Sequence, residues 1–371
     1  MKGSVRKRGE KWSYYFSYKQ DGKYKKKEKG GFRTKKEAET ALREVLQQYE
    51  KQGFVQNNPT NTLQEYIDYW YDTVAVTYLK YNTLTLYKRT IKNHIKNELG
   101  FIKINNINPA TLQKYFSEKQ KTLSNSSVNA IKNILNNTFK LAIKQNIILT
   151  NPIKQIEVKP KKVEKRVSTL TQQELETILK ATKKTSYYMP IMIAIQTGAR
   201  RSEILALTWD DIDFENNKIT INKTLLAKDK GVLEISSTKN LNSNRTILMT
   251  SKLKNELLTW KDHQQKEKEF YGELYSLEGN FVCTNEDGKP INPKTLSTQI
   301  NILGKKLNIS LKFHDLRHTH ATMLLESDVN IKVIQERLGH SNISTTLNIY
   351  SHVTSQIEKE SINKFEQRFN T

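Results

Sequence analysis

Apolar positions recur along this chain with two periods, and the changes of period divide it into three segments. The first, residues 1–55, begins with alternation. In "KWSYYFSYKQDGKYKKKEKGGF" aromatic, strand-forming residues precede a turn at Asp21-Gly22, and alternation continues beyond it, the pattern of a hairpin. "TKKEAETALREVLQQYE" then takes up helical spacing. Thr34 with Glu37 three residues on is the pair that satisfies free backbone donors at a helix start. A small sheet backed by one helix is expected, with Trp12, Tyr14, Tyr15, Phe16 and Tyr18 supplying its apolar face. The alternative is an unstructured basic arm.

"GFVQNNPTN", Gly53 to Asn61, reads as a polar linker. Over residues 62–157 the period is helical throughout. Thr62 and Glu65 repeat the capping pattern before "LQEYIDYWYDTVA", and "YNTLTLYKRTIKNHIKNEL", "NPATLQKYFSEKQ" and "SSVNAIKNILNNTFKLAIKQN" follow. Apolar residues three and four apart, such as Ile131, Leu135, Phe139 and Ala142, predict an all-helical domain with lysine-rich outer faces. A charged linker with Pro160 leads into the third segment, residues 168–371. Thr171 and Glu174 open its first helix, and "YYMPIMIAIQ" reads as a buried helix that Gly198 ends with a left-handed cap. "ITINKT", "GVLEISST" and "RTILMT" read as strands of a small antiparallel sheet. "FHDLRHTHATMLLES", "NIKVIQERLGH" and "SNISTTLNIYSHV" read as the closing helices. The fold class expected is multidomain α+β, with a catalytic segment that is mainly helical.

Charge changes what these segments are for. Among 371 residues, 61 Lys+Arg face 38 Asp+Glu, a formal net charge of +23. Within positions 1–36 alone there are 14 Lys/Arg against 3 Asp/Glu. Such a surplus suits nucleic acid or an anionic membrane. No run approaches the roughly 18 apolar residues that span a bilayer, and the N-terminus lacks an apolar signal core, so DNA and a cytoplasmic, nucleoid-associated location are expected. The single cysteine, Cys283, leaves no internal disulfide and no multi-cysteine metal site.

The candidate chemistry lies in the third segment. Arg200 sits in the turn before "SEILAL", beside helix N-terminal amides that favour an anion, and Glu203 is placed to buttress it. Arg201 points elsewhere by direction. Lys239 lies on a polar hairpin tip, "TKNLNSNR". His314 and Arg317 are three apart on one helix face. His340 follows Gly339, and Tyr350 falls in the last helix. Taken alone, "HDLRHTH" fits a charged helix face, a metal site on His314 and His318, or an anion site. No HExxH accompanies the histidine pair and Arg317 lies between its members, which disfavours zinc. His318 and His320 read as helix-packing or DNA-proximal residues.

The combination "TGxRxxE" at Arg200 and Glu203, a hairpin Lys239, "HxLRHT" at His314 and Arg317, "LGH" at His340, and Tyr350 ten residues later resembles the tyrosine recombinase family over about residues 168–352. The layout is similar to its phage and integrative-element integrases, which add a basic sheet-and-helix domain to a helical core-binding domain. The resemblance implies roles. Arg200 and Arg317 clamp a phosphodiester, with His340 as a further donor. Tyr350 is the nucleophile of a 3′-phosphotyrosine intermediate, His314 its base or orienting group, and Lys239 the acid for the leaving 5′ hydroxyl. Glu203 is a supporting residue. It implies no cofactor and no metal. Its partners are double-stranded DNA at core and arm sites, a homotetramer assembled through C-terminal segments such as "SQIEKESINKFEQRFNT", and accessory DNA-bending or excision factors. The alternatives are a type IB topoisomerase-like relaxing enzyme and a catalytically inactive DNA-binding regulator.

Overall fold

The structure, a computed structural model, describes residues 3–20, 23–52, 61–161, 169–228, 231–237, 244–343, 346, 347 and 366. The chain divides into two compact units, Met1–Val163 and Glu164–Thr371.

The first unit opens with a three-stranded antiparallel sheet in the order β1 (Gly3–Arg8), β2 (Lys11–Gln20), β3 (Lys23–Phe32), followed by helix α1 (Lys35–Gln52). Alternate residues of β2, Tyr14, Phe16 and Tyr18, pack on Leu42 of α1, whereas Tyr15, expected on the same face, lies on the other one, because successive strand residues point to opposite sides. The opposite face is polar and cationic. Arg6 donates to Glu28 at 2.7 Å, and the Arg6 and Lys26 charges lie 5.1 and 4.7 Å from the Tyr15 ring centroid. Strand β1 is an addition to the expected hairpin. Its sequence, GSVRKR, has one apolar residue, so pairing with β2 rather than alternation makes it a strand. The turn residues Asp21 and Gly22 lie outside the described residues. The cap of α1 departs from expectation by one residue. Glu37 N–H donates to Thr34 Oγ1 at 3.2 Å, but the Glu37 carboxylate accepts from the Arg33 N–H at 3.0 Å.

Helices then fill residues 61–161. Helix α2 (Leu63–Trp70) runs through a π turn, Tyr71–Ala75, into the short α3 (Val76–Tyr78). Helix α4 (Tyr81–Thr90) runs into a second π turn, Ile91–Ile95; α5 (Pro109–Thr122) and α6 (Asn125–Lys144) complete the set. Thr62 and Glu65 form the reciprocal cap on α2, while Asn108 and Ser124 cap α5 and α6. The stripe Ile131, Leu135, Phe139 and Ala142 is fully buried against Leu63, Ile67, Trp70 and Phe116.

The second unit is mainly helical. Helix α7 (Gln172–Thr182) carries the Thr171–Glu174 reciprocal cap. Helix α8 (Tyr188–Thr197) is apolar on all sides and almost wholly buried, and the short α9 (Arg201–Ile204) follows it. Strands β4 (Ile212–Asp213), β5 (Lys218–Ile221) and β8 (Arg245–Leu248) make one antiparallel sheet in that order. Strands β6 (Lys223–Ala227) and β7 (Leu233–Ser237) pair separately. The stretch expected as a single strand, "ITINKT", therefore splits between two sheets. Helices α10 (Ser251–Tyr271), α11 (Pro293–Leu307), α12 (Phe313–Glu326) and α13 (Ile331–Leu338) follow. The first two were not expected. The 21 residues of α10 bury only Leu253, Leu257, Trp260 and Gln264, too thin a stripe to stand out among its charges. Gly198 ends α8 and Gly339 ends α13, each at φ +66, the left-handed conformation in which glycine carries no Cβ penalty.

Phe139→Ala empties a fully buried site in the helical core and costs about 3–5 kcal/mol. Amide hydrogen exchange of the intact protein is expected to speed up in α2, α5 and α6 by on the order of a hundredfold or more, with α8 and α12 unchanged. Equal acceleration in α8 would overturn the division into two units.

Candidate active site

Two helix ends build the site. Gly198 turns the chain sharply out of α8, so that Ala199 and Arg200 lead directly into α9. Arg200 is the residue preceding the first turn of α9. Its backbone N–H donates to Glu203 Oε2 at 2.9 Å, and its Nη1 donates to Glu203 Oε1 at 2.8 Å. The same guanidinium reaches across to the end of α13, where Nη2 donates to the Gly339 carbonyl at 3.0 Å. Arg317, on α12, is 3% exposed and donates to the Gly198 carbonyl at 2.6 Å and the Leu338 carbonyl at 2.8 Å. Arg200 and Arg317 thus converge on carbonyls of consecutive residues. The donors are charged and the acceptors lie at helix C-termini, where the backbone dipole is negative.

Glu203 is 2% exposed and serves two cations. Its Oε2 also accepts from Arg245 Nη2 at 2.9 Å, and Arg245 Nε donates to the Arg337 carbonyl at 2.7 Å. Burial alone raises the Glu203 carboxyl, but Arg245 and Arg200 outweigh it and hold the group below the ordinary carboxylate range. Three guanidiniums, of Arg200, Arg245 and Arg317, therefore stand around one carboxylate. Among the described residues these three guanidiniums and one carboxylate leave a surplus of two positive charges. Burial, and after it the nearness of Arg200, pulls Arg317 down to about 9, so it stays charged at neutral pH.

The histidines differ from one another. His340 follows the α13 cap, and its Nδ1 lies 2.9 Å from Thr346 Oγ1. Burial first, then Arg317 and Arg200, lowers His340 to about 3. It is neutral and carries one N–H, and the Thr346 hydroxyl at Nδ1 can pair with either tautomer. His314 lies at the outer end of α12, with its ring edge to face on His318 at 4.6 Å between centroids. Its pKa is depressed by desolvation, by His318 and by Arg317, Arg200 and Arg201, so it too is neutral and able to accept a proton. No third His, Cys, Asp or Glu joins the pair into a metal-binding group among the described residues. His320 is 7% exposed and held between the Ile195 carbonyl and Arg337. The Arg201 guanidinium is bonded to the Ser297 hydroxyl, near enough to His314 to disfavour its charged form.

Arg200, Glu203, His314, Arg317 and His340 are thus brought together. Lys239, Tyr350 and the segment after it lie outside the described residues, Glu366 apart. Sequence reasoning missed Arg245 and Arg337. The available signal for Arg245 was a cation opening an otherwise apolar strand, "RTILMT", immediately after a polar hairpin tip.

Comparison with known proteins identifies the family. Residues 168–356 match the phage integrase family, residues 4–54 an arm DNA-binding domain, and residues 62–120 the N-terminal SAM-like domain of phage integrases. A protein described as "Tyrosine recombinase XerC-like", from Caldanaerobacter subterraneus subsp. tengcongensis, is 33% identical over 367 residues, spanning 94% of this chain and 92% of that protein. Two solved structures share the fold. One is the Tn1549 transposon integrase in complex with a circular intermediate DNA (TM-score 0.68, 23% identity, 82% of this chain and 100% of that one). The other is a lambda integrase tetramer bound to a Holliday junction (TM-score 0.56, 21% identity, 91% of this chain and 95% of that one). Matched along almost its whole length, the chain belongs to the phage integrase family and is a tyrosine recombinase that performs site-specific DNA recombination.

Proposed function

We propose that the pocket grips one scissile phosphodiester and that Tyr350 displaces half of it. The observation that carries this reading is the convergence of Arg200 and Arg317 beside a neutral His340 with two positive charges in surplus. Guanidinium donors fixed in place stabilise charge that grows on non-bridging oxygens in the transition state. His340 adds a donor when its proton sits on Nε2, the tautomer in which the Thr346 hydroxyl donates to Nδ1. Tyr350 Oη attacks phosphorus and its proton passes to His314. The bond from phosphorus to the 5′ oxygen breaks, and that oxygen takes a proton from Lys239. The 3′-phosphotyrosine conserves the energy of the broken linkage, so a 5′ hydroxyl from a second duplex restores the diester by the reverse path. Glu203 fixes the two arginines that share it.

The same reading gives residues 1–55 to arm sites, 62–157 to the core site, and 168–371 to catalysis and C-terminal exchange. The cationic outer face of the first sheet supports the arm assignment. The tetramer on a junction is the lambda integrase's own arrangement, and we extend it to this chain as a homotetramer, with DNA-bending or excision factors as auxiliary partners on the nucleoid. Among the described residues no helix is long and apolar enough to cross a membrane.

A nicked attachment-site duplex is expected to trap an SDS-resistant adduct with the parent protein. Tyr350→Phe is expected to abolish the adduct with DNA affinity intact, and an adduct from the Phe variant would falsify the nucleophile. Relaxation of a plasmid without sites, in place of exchange between two marked duplexes, would favour the topoisomerase alternative. Glu203→Gln removes the carboxylate from the buried Arg245 and the half-exposed Arg200 and is expected to cost about 3–5 kcal/mol in a urea titration. Arg317→Ala is expected to lower the cleavage rate by about 100–1000-fold.

The histidines set a pH signature. His320 at about 4 and His340 at about 3 lie below the unfolded value of about 6.5. Between those values the unfolded chain binds more protons, so stability falls as pH drops from 6.5 toward 4 and is level above 7. A urea midpoint for the second unit that stays constant or rises from pH 7 to pH 5 would contradict buried neutral histidines.

A further inference from the structure

Helix α12 bridges the ends of α8 and α13 twice, one turn apart. Arg317 makes the first bridge, to the Gly198 and Leu338 carbonyls. His320 makes the second, three residues on and on the same face. Its Nδ1 lies 2.8 Å from the Ile195 carbonyl, and its Nε2 lies 3.2 Å from Arg337 Nε. A carbonyl only accepts and a guanidinium only donates, so Nδ1 carries the proton and Nε2 is the acceptor. One neutral tautomer satisfies both partners. Burial, followed by the nearby Arg337 charge, holds His320 at about 4, so that tautomer persists at working pH.

Arg337 extends the link. Its Nη2 donates to the Gln196 carbonyl at 3.0 Å and its Nη1 to the Leu248 carbonyl at 3.2 Å. One side chain therefore ties α13 to α12, to the last turn of α8 and to β8. The fit leaves no slack beside Arg317. A Cβ built on Gly198 would stand 2.6 Å from His320 Cδ2 and 2.6 Å from Leu338 Cδ2. Any shift of the imidazole is passed to the residue whose carbonyl seats Arg317. The transesterification uses neither His320 nor Arg337, yet both are desolvated polar groups, which cost stability unless fully bonded.

We infer that His320 and Arg337 are positioning residues of the recombinase, a clamp that holds the α8 and α13 ends at the separation Arg317 needs to meet the scissile phosphate. The inference rests on the proposed role of Arg317. A displacement of about 1 Å at a charge-stabilising group costs on the order of a hundredfold in rate, which sets the size of effect to look for.

The test compares two nicked duplexes in single-turnover adduct formation by the full-length protein. One has the natural scissile phosphodiester. In the other a methyl group replaces one non-bridging oxygen, which removes the charge that Arg317 meets. On the phosphodiester, His320→Phe and Arg337→Met are expected to be slower than parent by on the order of tenfold to a hundredfold. DNA affinity should stay within about twofold, and the double variant should be no slower than the worse single one. On the methylphosphonate, these variants and Arg317→Ala should all run at the parent rate. His320→Gln, whose Oε1 replaces the Nε2 acceptor, should recover most of the phosphodiester rate and gives a folded comparison if the Phe variant is unstable. Equal slowing on both substrates makes the pair a structural contact and overturns the inference. A folded His320→Gln as slow as the Phe variant overturns it too. If Arg317→Ala itself is not relieved by the methylphosphonate, the reading of Arg317 falls first and the clamp with it.

Discussion

One buried carboxylate facing three guanidiniums is the constraint around which the catalytic unit is arranged. Glu203 compensates a single positive charge, and like charges this close repel in a medium of low dielectric. Backbone carbonyls accept from four further N–H groups of the cluster. Gly198, Arg337, Leu338 and Gly339 all offer oxygens to Arg200, Arg245 or Arg317. These oxygens sit where α8 and α13 end, so each helix directs the negative end of its dipole at the cluster. The glycine caps allow the chain to turn at those points, and the apolar α8 is buried because its end has to reach the middle of the unit. On the proposed reading a backbone phosphate is the further anion that the cluster takes.

Cations are used in two ways in this protein. On the first sheet they are exposed, spread over a face with Tyr15 and a single acidic partner for Arg6, and open to screening by salt. In the pocket they are few, buried and each bonded at several points. The first kind favours approach to a polyanion at little cost in folding. The second is held in place by its bonds to Glu203 and to helix-end carbonyls.

Much of this was legible in the sequence, and the exceptions have physical causes. The caps at Thr62 and Thr171, the glycine terminators and the apolar stripe of the helical core follow from local spacing, which the local backbone obeys. Strand β1 was not legible because a strand with one apolar residue exists only through its partner. The role of Arg245 was not legible because it meets Glu203 from 42 residues away, and nothing in its neighbours announces the contact. His320 was read as a packing or DNA-proximal residue. Its burial is right for packing, but its two bonds depend on where α8 and α13 end, which no local pattern records.

The acceptors that seat Arg317 and Arg200 on the helix ends are peptide oxygens. A peptide oxygen is present whatever amino acid a codon specifies, so no point change deletes one; it can only be moved. On this half of the pocket a point change therefore acts through the donor side chains, the side chains that position the two helix ends, and the two glycines that aim the oxygens.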